Sequence, residues 1–308
     1  MEKRTLGKTG LQVSVLGYGC APVAYLKADQ PVAGQMIEAL LDEGINLIDT
    51  ATSYPGSHEF IGNHLSHRKK DFVLVSKCGQ KLGGVDAPAW SAEVVDASIE
   101  RALATMKVDQ IDLMLLHSCD LAILKQGDAL GALVKARDAG KIAHIGYSGD
   151  DTAAAYAAGL PDIAVIETSI NIVDQKNIDV VLSPAREHNV GIIVKRPIAN
   201  ACWKDLADQK GLYKTYVATY TDRLAKMNIT PADLGFDGAP SDVWPSIALR
   251  FTLGQAGVTT AIVGTTNIAN ARKNLAVAAQ GPLPEHVTSR LKAAFKRADP
   301  EGKWTGQT

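Results

Sequence analysis

Short runs of Val, Ile and Leu recur along the chain, each followed by a loop and then by a stretch whose apolar residues return every third or fourth position. The segments MIEALLDEGINLID, LVKARDAGKIAHIGYS and AREHNVGIIVKRP each carry the junction from the second pattern back to the first. Gly44 and Gly140 stand where a helix ends on a left-handed residue, and Asn189 with Gly191 is expected to do the same service. Eight runs read as strands: 14–19, 46–49, 72–77, 111–117, 143–148, 163–167, 191–195 and 259–263. Between them, 91–106 reads as a helix with Val94, Val95, Ile99, Leu103 and Met106 on one face. Strands apolar on both faces and separated by helices imply right-handed βαβ units and a parallel sheet, and eight of them imply a closed (β/α)8 TIM barrel of the α/β class. The expected domain organisation is a single barrel over residues 1–308.

Two segments fall outside that repeat. Residues 4–13, within RTLGKTGLQVS, read as a hairpin with a Gly-containing turn, placed to plug the bottom of the barrel. Residues 198–242 form a long insertion between strands seven and eight, with a helix expected near 213–227, and insertions at a barrel mouth shape substrate pockets. An open doubly wound sheet is the rival architecture. It needs G-x-G-x-x-G after its first strand; GYGCAP has Gly17 and Gly19 but Pro22 in third place, so that match fails.

Charge narrows the partners. Lys and Arg total 32 against 33 Asp and Glu, with no long block of one sign, so nucleic acid and anionic membrane are not expected as partners. The N-terminal stretch lacks the pattern of a signal or transit peptide and no run has membrane-spanning length, which makes a cytoplasmic protein the expectation. Cys20, Cys78, Cys119 and Cys202 are widely separated, so free thiols and no metal site are expected.

Barrel enzymes build their sites at the C-terminal ends of the strands. The polar residues there are Asp49, Lys77, His117, Ser148, Glu167 and Lys195. Asp49, Lys77 and His117 end neighbouring strands about 4.8 Å apart, and Tyr54 hangs over them from the loop in LIDTATSYPG. A phenol with a pKa of about 10 is a poor acid by itself, whereas a buried ammonium beside it favours phenolate and a carboxylate keeps that ammonium charged. His117 is placed to hydrogen-bond a substrate carbonyl. The plainer alternative makes Asp49 a helix cap and Tyr54 a cover for a core edge. Gly264, Thr265 and Thr266, between the last strand and a helix, suit a phosphate, or else only cap that helix.

The motifs RTLGKTGLQVSVLGYGCAP, LIDTATSYPGSHEFIG, VLVSKCG, DLMLLHS, IGYSG and IVGTTNIANARKNL run in the order and spacing of the aldo-keto reductases, and the chain resembles that family over nearly its whole length. The resemblance implies NAD(P)H-dependent reduction of an aldehyde or ketone by hydride transfer, with Tyr54 as general acid, Lys77 tuning it, Asp49 supporting Lys77 and His117 orienting the carbonyl. It implies NADP(H) as the favoured cofactor and NAD(H) as the alternative. The cofactor would meet Gly19, Cys20, Asp49, Ser148, Gly149, Glu167, Lys195, Arg196, Pro197, Gly264, Thr265, Thr266, Asn270 and Asn274. The substrate, a small carbonyl compound, would meet Ala21, Tyr54, His117 and Trp203, although Trp203 serves equally as an anchor for its loop. The chain departs from the family's pattern at Gly149 in place of Asn, Glu167 in place of Gln, Lys195 in place of an aromatic residue, and Asn270 in place of Arg. Two other functions stay open at this point: a nucleotide-binding regulatory protein of the same fold, and a Schiff-base lyase using Lys77 or Lys195.

Overall fold

The structure, a computed structural model, describes residues 1–26, 28–208 and 213–307. It begins with an antiparallel pair, β1 (Lys3–Thr5) and β2 (Gln12–Ser14), joined through a single 3-10 turn at Gly7–Thr9. Eight parallel strands follow: β3 (Leu16–Gly19), β4 (Leu47–Asp49), β5 (Val73–Cys78), β6 (Ile111–His117), β7 (Ile142–Ser148), β8 (Ile163–Ser169), β9 (Gly191–Lys195) and β10 (Thr260–Val263). They close in sequence order, β10 returning to β3, so the chain is a (β/α)8 barrel with helices between its strands. The eight expected strands all form; the first is shortened by two residues because Ser14 pairs with Lys3 in the hairpin rather than with the barrel, and those expected at 46–49 and 259–263 each begin one residue later.

Alternation decides what the interior holds. Leu47, Val73, Val75, Leu113, Leu115, Val165 and Ile193 make one inner cluster, and Leu6 and Val13 from the hairpin belong to it. The hairpin thus closes the bottom of the barrel, as its position in the sequence suggested. This contact explains Gly191, whose expected role as a helix cap is not what the structure shows: Gly191 is the first residue of β9, and a Cβ there would stand 2.7 Å from Leu6 Cδ1 and 2.8 Å from the Leu6 carbonyl carbon. Asn189 alone takes the left-handed conformation at that junction, with φ of 51°. Gly44 and Gly140 do end their helices, at φ of 100° and 76°.

A second apolar cluster surrounds the inserted region after β9. The helix Tyr213–Met227 forms where expected, and the helix Pro240–Leu253 completes the insertion; residues 209–212 lie outside the described residues. Tyr220, Met227, Leu234, Trp244 and Phe251 pack there with Val287 and Leu291 of the helix Glu285–Ala298. Among the described residues, no helix is long and apolar enough to cross a membrane.

The helix Ser57–His64 packs its buried His58 against β5, with Nε2 and the Ser76 hydroxyl 3.0 Å apart. Burial, and then the positive charge of Lys77, push the His58 imidazole down to about 4. A histidine depressed in the folded state costs stability as pH falls below its unfolded value of about 6.5. Between about pH 7 and about pH 4 this one group removes about 3 kcal/mol, and His58→Gln should show a flatter pH dependence of the urea midpoint. At the barrel floor, we expect Gly191→Ala to cost about 1–3 kcal/mol through overpacking. Combined with Leu6→Ala, the cost measured by urea unfolding should be less than the sum of the two single losses, because the shorter side chain vacates the space the new methyl enters.

Candidate active site

On five of the strands the residues that point inward are apolar up to a charged or polar one near the mouth of the barrel. On β5 they run Val73, Val75, Lys77; on β6, Leu113, Leu115, His117; on β4, Leu47, Asp49; on β8, Val165, Glu167; on β9, Ile193, Lys195. The mouth of the barrel is therefore a polar layer resting on a hydrocarbon one. Lys77, Asp49 and Glu167 are at most 2% exposed.

Lys77 is the centre of this layer. Its ammonium donates to Asp49 Oδ1 at 2.5 Å and to the Thr50 carbonyl at 3.0 Å, and lies 3.3 Å from Glu167 Oε2. Burial works against the ammonium, but the facing carboxylates of Asp49 and Glu167 outweigh it and hold Lys77 charged well above the ordinary lysine range. Asp49 does not cap the next helix; the left-handed residue Gly56, φ 72°, stands at that start.

The loop after β4 folds back across the end of β5. Thr50 N donates to the Val75 carbonyl at 2.9 Å, and Thr52 donates through N and Oγ1 to the Lys77 carbonyl at 3.0 and 2.9 Å. A turn from Ala51 to Tyr54 (3.1 Å) and a second from Tyr54 to Ser57 (3.1 Å) then fix the tyrosine backbone. Its half-buried ring has Lys77 Nζ 5.5 Å from its centroid and His117 edge-on at 6.2 Å. The four residues that the sequence singled out thus meet at one point.

His117 is held neutral: burial, then the positive charges of Lys77, Lys195 and Arg196, push it well below the ordinary histidine range. Three neighbours that the sequence reading missed support it and Tyr54. Trp90, left-handed at φ 58°, donates its indole N–H to the His117 carbonyl at 3.0 Å; the Ser53 hydroxyl meets His117 Nδ1 at 3.4 Å; Tyr25 packs edge-on to Tyr54 at 5.7 Å and donates to the Ser53 carbonyl at 3.2 Å. None ends a strand, so strand-end counting passes over them.

The remaining site candidates divide into three groups. Gly19 pairs with Asp49, Cys20 donates its N–H to the Asp49 carbonyl at 2.8 Å, and Ala21 begins the helix Ala21–Tyr25 beside them. Across the mouth, Ser148 donates to Glu167 Oε1 at 3.2 Å and Gly149 N to the Glu167 carbonyl at 3.0 Å. Lys195 pairs with Asp150 at 3.3 Å, Arg196 donates to the Ser169 hydroxyl and the Gln307 carbonyl, and the Pro197 carbonyl accepts from Thr252 at 3.1 Å. Asp150, unremarked in the sequence, also accepts from Thr168, Ser169 N and Asn177.

The third group lies beyond β10. Gly264 and Thr266 are exposed, and the Tyr18 hydroxyl donates to the Thr265 carbonyl at 2.6 Å, tying this loop to the barrel. The helix Ile268–Ala278 follows, with Asn270 exposed on its first turn and Asn274 buried one turn on. Asn267 caps this helix, accepting from Ala269 N at 2.8 Å and Asn270 N at 3.2 Å, while its own N–H donates to Thr265 Oγ1 at 3.1 Å; a loop leading into a helix start is also a place that suits phosphate oxygens. Arg272 is engaged with Glu43 at 2.7 Å. Trp203 stacks on Trp244, ring centroids 6.1 Å apart, against the apolar cluster of the insertion.

The chain is 26% identical to L-galactose dehydrogenase of Arabidopsis thaliana over 293 residues, covering 90% of this chain and 88% of that one. A segment of 125 residues, 39% of this chain and 38% of the other, is 26% identical to a protein described as a probable voltage-gated potassium channel subunit beta of Arabidopsis thaliana. A crystal structure from Pseudomonas aeruginosa assigned to the aldo-keto reductases superposes with a TM-score of 0.71 at 29% identity, over 90% of this chain and 94% of that chain. An aldo-keto reductase structure from Bacillus halodurans reaches a TM-score of 0.78 over 96% of both chains, at 22% identity. The sequence profile of the Aldo/keto reductase family matches residues 15–296, and the chain belongs to that family of NAD(P)H-dependent oxidoreductases acting on carbonyl compounds.

Proposed function

We propose that this chain, acting as a single barrel domain in the cytoplasm, reduces a small aldehyde or ketone to its alcohol and catalyses the reverse reaction, with Tyr54 as the proton donor. The observation that carries this reading is the position of the Lys77 ammonium, paired with Asp49 at 2.5 Å and 5.5 Å from the centre of the Tyr54 ring. An ammonium so placed stabilises the phenolate that remains once Tyr54 has given its proton to the carbonyl oxygen. Asp49 keeps the ammonium charged and fixed in direction. His117, neutral and edge-on to Tyr54, offers one ring N–H to the same carbonyl oxygen and orients it.

A reduced nicotinamide dinucleotide, when bound, supplies the hydride. The residues present fit such a group: the loop 264–266 before a helix start, with Gly264 and Thr266 exposed, suits its phosphates, and the polar end layer of β7 and β8 suits a carboxamide. NADP(H) is our favoured cofactor on grounds of the family, and NAD(H) the alternative. Asn270 leaves no fixed charge on its turn for a 2′-phosphate; Arg272, held by Glu43, and the exposed Lys273 are the nearby cations that a phosphate would have to recruit.

Tyr54→Phe should lower kcat for aldehyde reduction by about 100-fold or more while leaving nucleotide affinity within a few-fold, since it removes only the acid. Wild-type kcat in that variant with several aldehydes would remove Tyr54 from the role. Fluorescence titration with NADPH and NADH, followed by turnover of 4-nitrobenzaldehyde, tests the cofactor reading. Tighter NADPH binding with aldehyde-dependent oxidation is the expected outcome. A preference for NADH would reverse the cofactor choice, and saturable binding without turnover would favour the regulatory function.

A further inference from the structure

A neutral imidazole carries one hydrogen on two nitrogens, and only the nitrogen that has it can donate to a carbonyl oxygen. His117 is such a ring, since burial and then the positive charges of Lys77, Lys195 and Arg196 hold it neutral. Its two nitrogens are placed differently. Nδ1 lies 3.4 Å from the Ser53 hydroxyl, which leaves Nε2 as the nitrogen to meet a substrate. With its hydrogen on Nδ1, the ring would donate to Ser53 and turn the Nε2 lone pair toward the carbonyl oxygen, repelling it. With Ser53 donating to Nδ1 instead, the hydrogen stands on Nε2 and the ring becomes a donor to that oxygen.

The backbones of both partners are held in place. Ser53 lies between Thr52, which donates through N and Oγ1 to the Lys77 carbonyl at 3.0 and 2.9 Å, and Tyr54, whose N–H donates to the Ala51 carbonyl at 3.1 Å. The Ser53 carbonyl accepts from the Tyr25 hydroxyl at 3.2 Å, and the His117 carbonyl from the Trp90 indole N–H at 3.0 Å. The hydroxyl and Nδ1 are thus brought together by β5, by the helix Ala21–Tyr25 and by the loop that carries Trp90. A separation of 3.4 Å is long for this pair, and contacts of this kind tighten when substrate closes a site.

We propose that Ser53 is a positioning residue for the reductase chemistry, its hydroxyl donating to His117 Nδ1 and so fixing the ring in the tautomer with its hydrogen on Nε2, resting on the reading of Tyr54 and His117 given above. Ser53 acts through the imidazole. Tyr54 gives its proton to the carbonyl oxygen, and the His117 Nε2–H orients the same oxygen only while Nδ1 is occupied as an acceptor.

Long-range proton–nitrogen NMR spectra of the full chain carrying isotope-labelled histidine read the tautomer at neutral pH, without cofactor or substrate. The chain has seven histidines, and the spectrum of His117→Asn identifies the signals of His117. In the wild type, Nδ1 of His117 should resonate as a bare nitrogen and Nε2 as a protonated one. In Ser53→Ala the two signals should move toward each other as both tautomers become populated, and Ser53→Thr, which keeps a hydroxyl, should restore the wild-type pattern. Turnover of 4-nitrobenzaldehyde supplies a second readout: Ser53→Ala should lose about three- to tenfold in kcat, the effect of one net hydrogen bond, with nucleotide affinity unchanged, and Ser53→Thr should recover most of the loss. A wild-type ring protonated on Nδ1 overturns the proposal, and so does a Ser53→Ala variant that keeps the wild-type pattern, whatever its kcat. An absence of any aldehyde turnover in the wild type would remove the reductase reading alone, because the tautomer is read independently of turnover.

Discussion

The molecule is organised around one ammonium ion placed inside a barrel. Removing a lysine from water costs several kcal/mol unless carboxylates and hydrogen-bond acceptors replace the water. Lys77 has Asp49, Glu167 and the Thr50 carbonyl for that purpose, and they come from three places in the chain: β4, β8 and the loop after β4. None can be moved without exposing a buried charge to hydrocarbon. The site is therefore set by the closure of the barrel itself, since only closure brings β8 opposite β5.

The layer below explains why the polar groups sit where they do. Leu47, Val75, Leu115, Val165 and Ile193 fill the interior, and the hairpin residues Leu6 and Val13 seal its lower end. With the bottom blocked and the middle packed, the mouth is where inward-facing polar side chains can meet a ligand. Gly191 belongs to this account as much as Lys77 does, because the hairpin can seat only where β9 carries no side chain against Leu6.

The loops then convert a charged layer into a site. Hydrogen bonds from Thr50 and Thr52 lay the loop after β4 across β5 and deliver Tyr54 over the ammonium, while Tyr25, Ser53 and Trp90 brace the tyrosine and His117. On the opposite side, Arg196 is tied to Ser169 and to the Gln307 carbonyl, and Lys195 to Asp150, so this rim is held by its own ion pairs and hydrogen bonds.

Much of this was legible in the sequence. The eight β-branched runs specified the barrel, because a strand buried on both faces is apolar throughout and a helix is not. Their last residues specified Asp49, Lys77 and His117, because a charged side chain ending an apolar run has to face something polar. The helix at 213–227 and the hairpin were also readable from local patterns. Gly191 was misread as a helix cap because its reason is a neighbour nearly two hundred residues away in the chain. Trp203 was ambiguous for the same kind of reason, its stacking partner Trp244 lying in the helix Pro240–Leu253, far along the chain. Above all, Glu167 looked from the sequence like a strand-end group for a cofactor, and only the tertiary structure sets it against Lys77. Alternation along a strand decides that a side chain points inward, but which inward-pointing side chains touch across the axis is decided by the closed ring of strands.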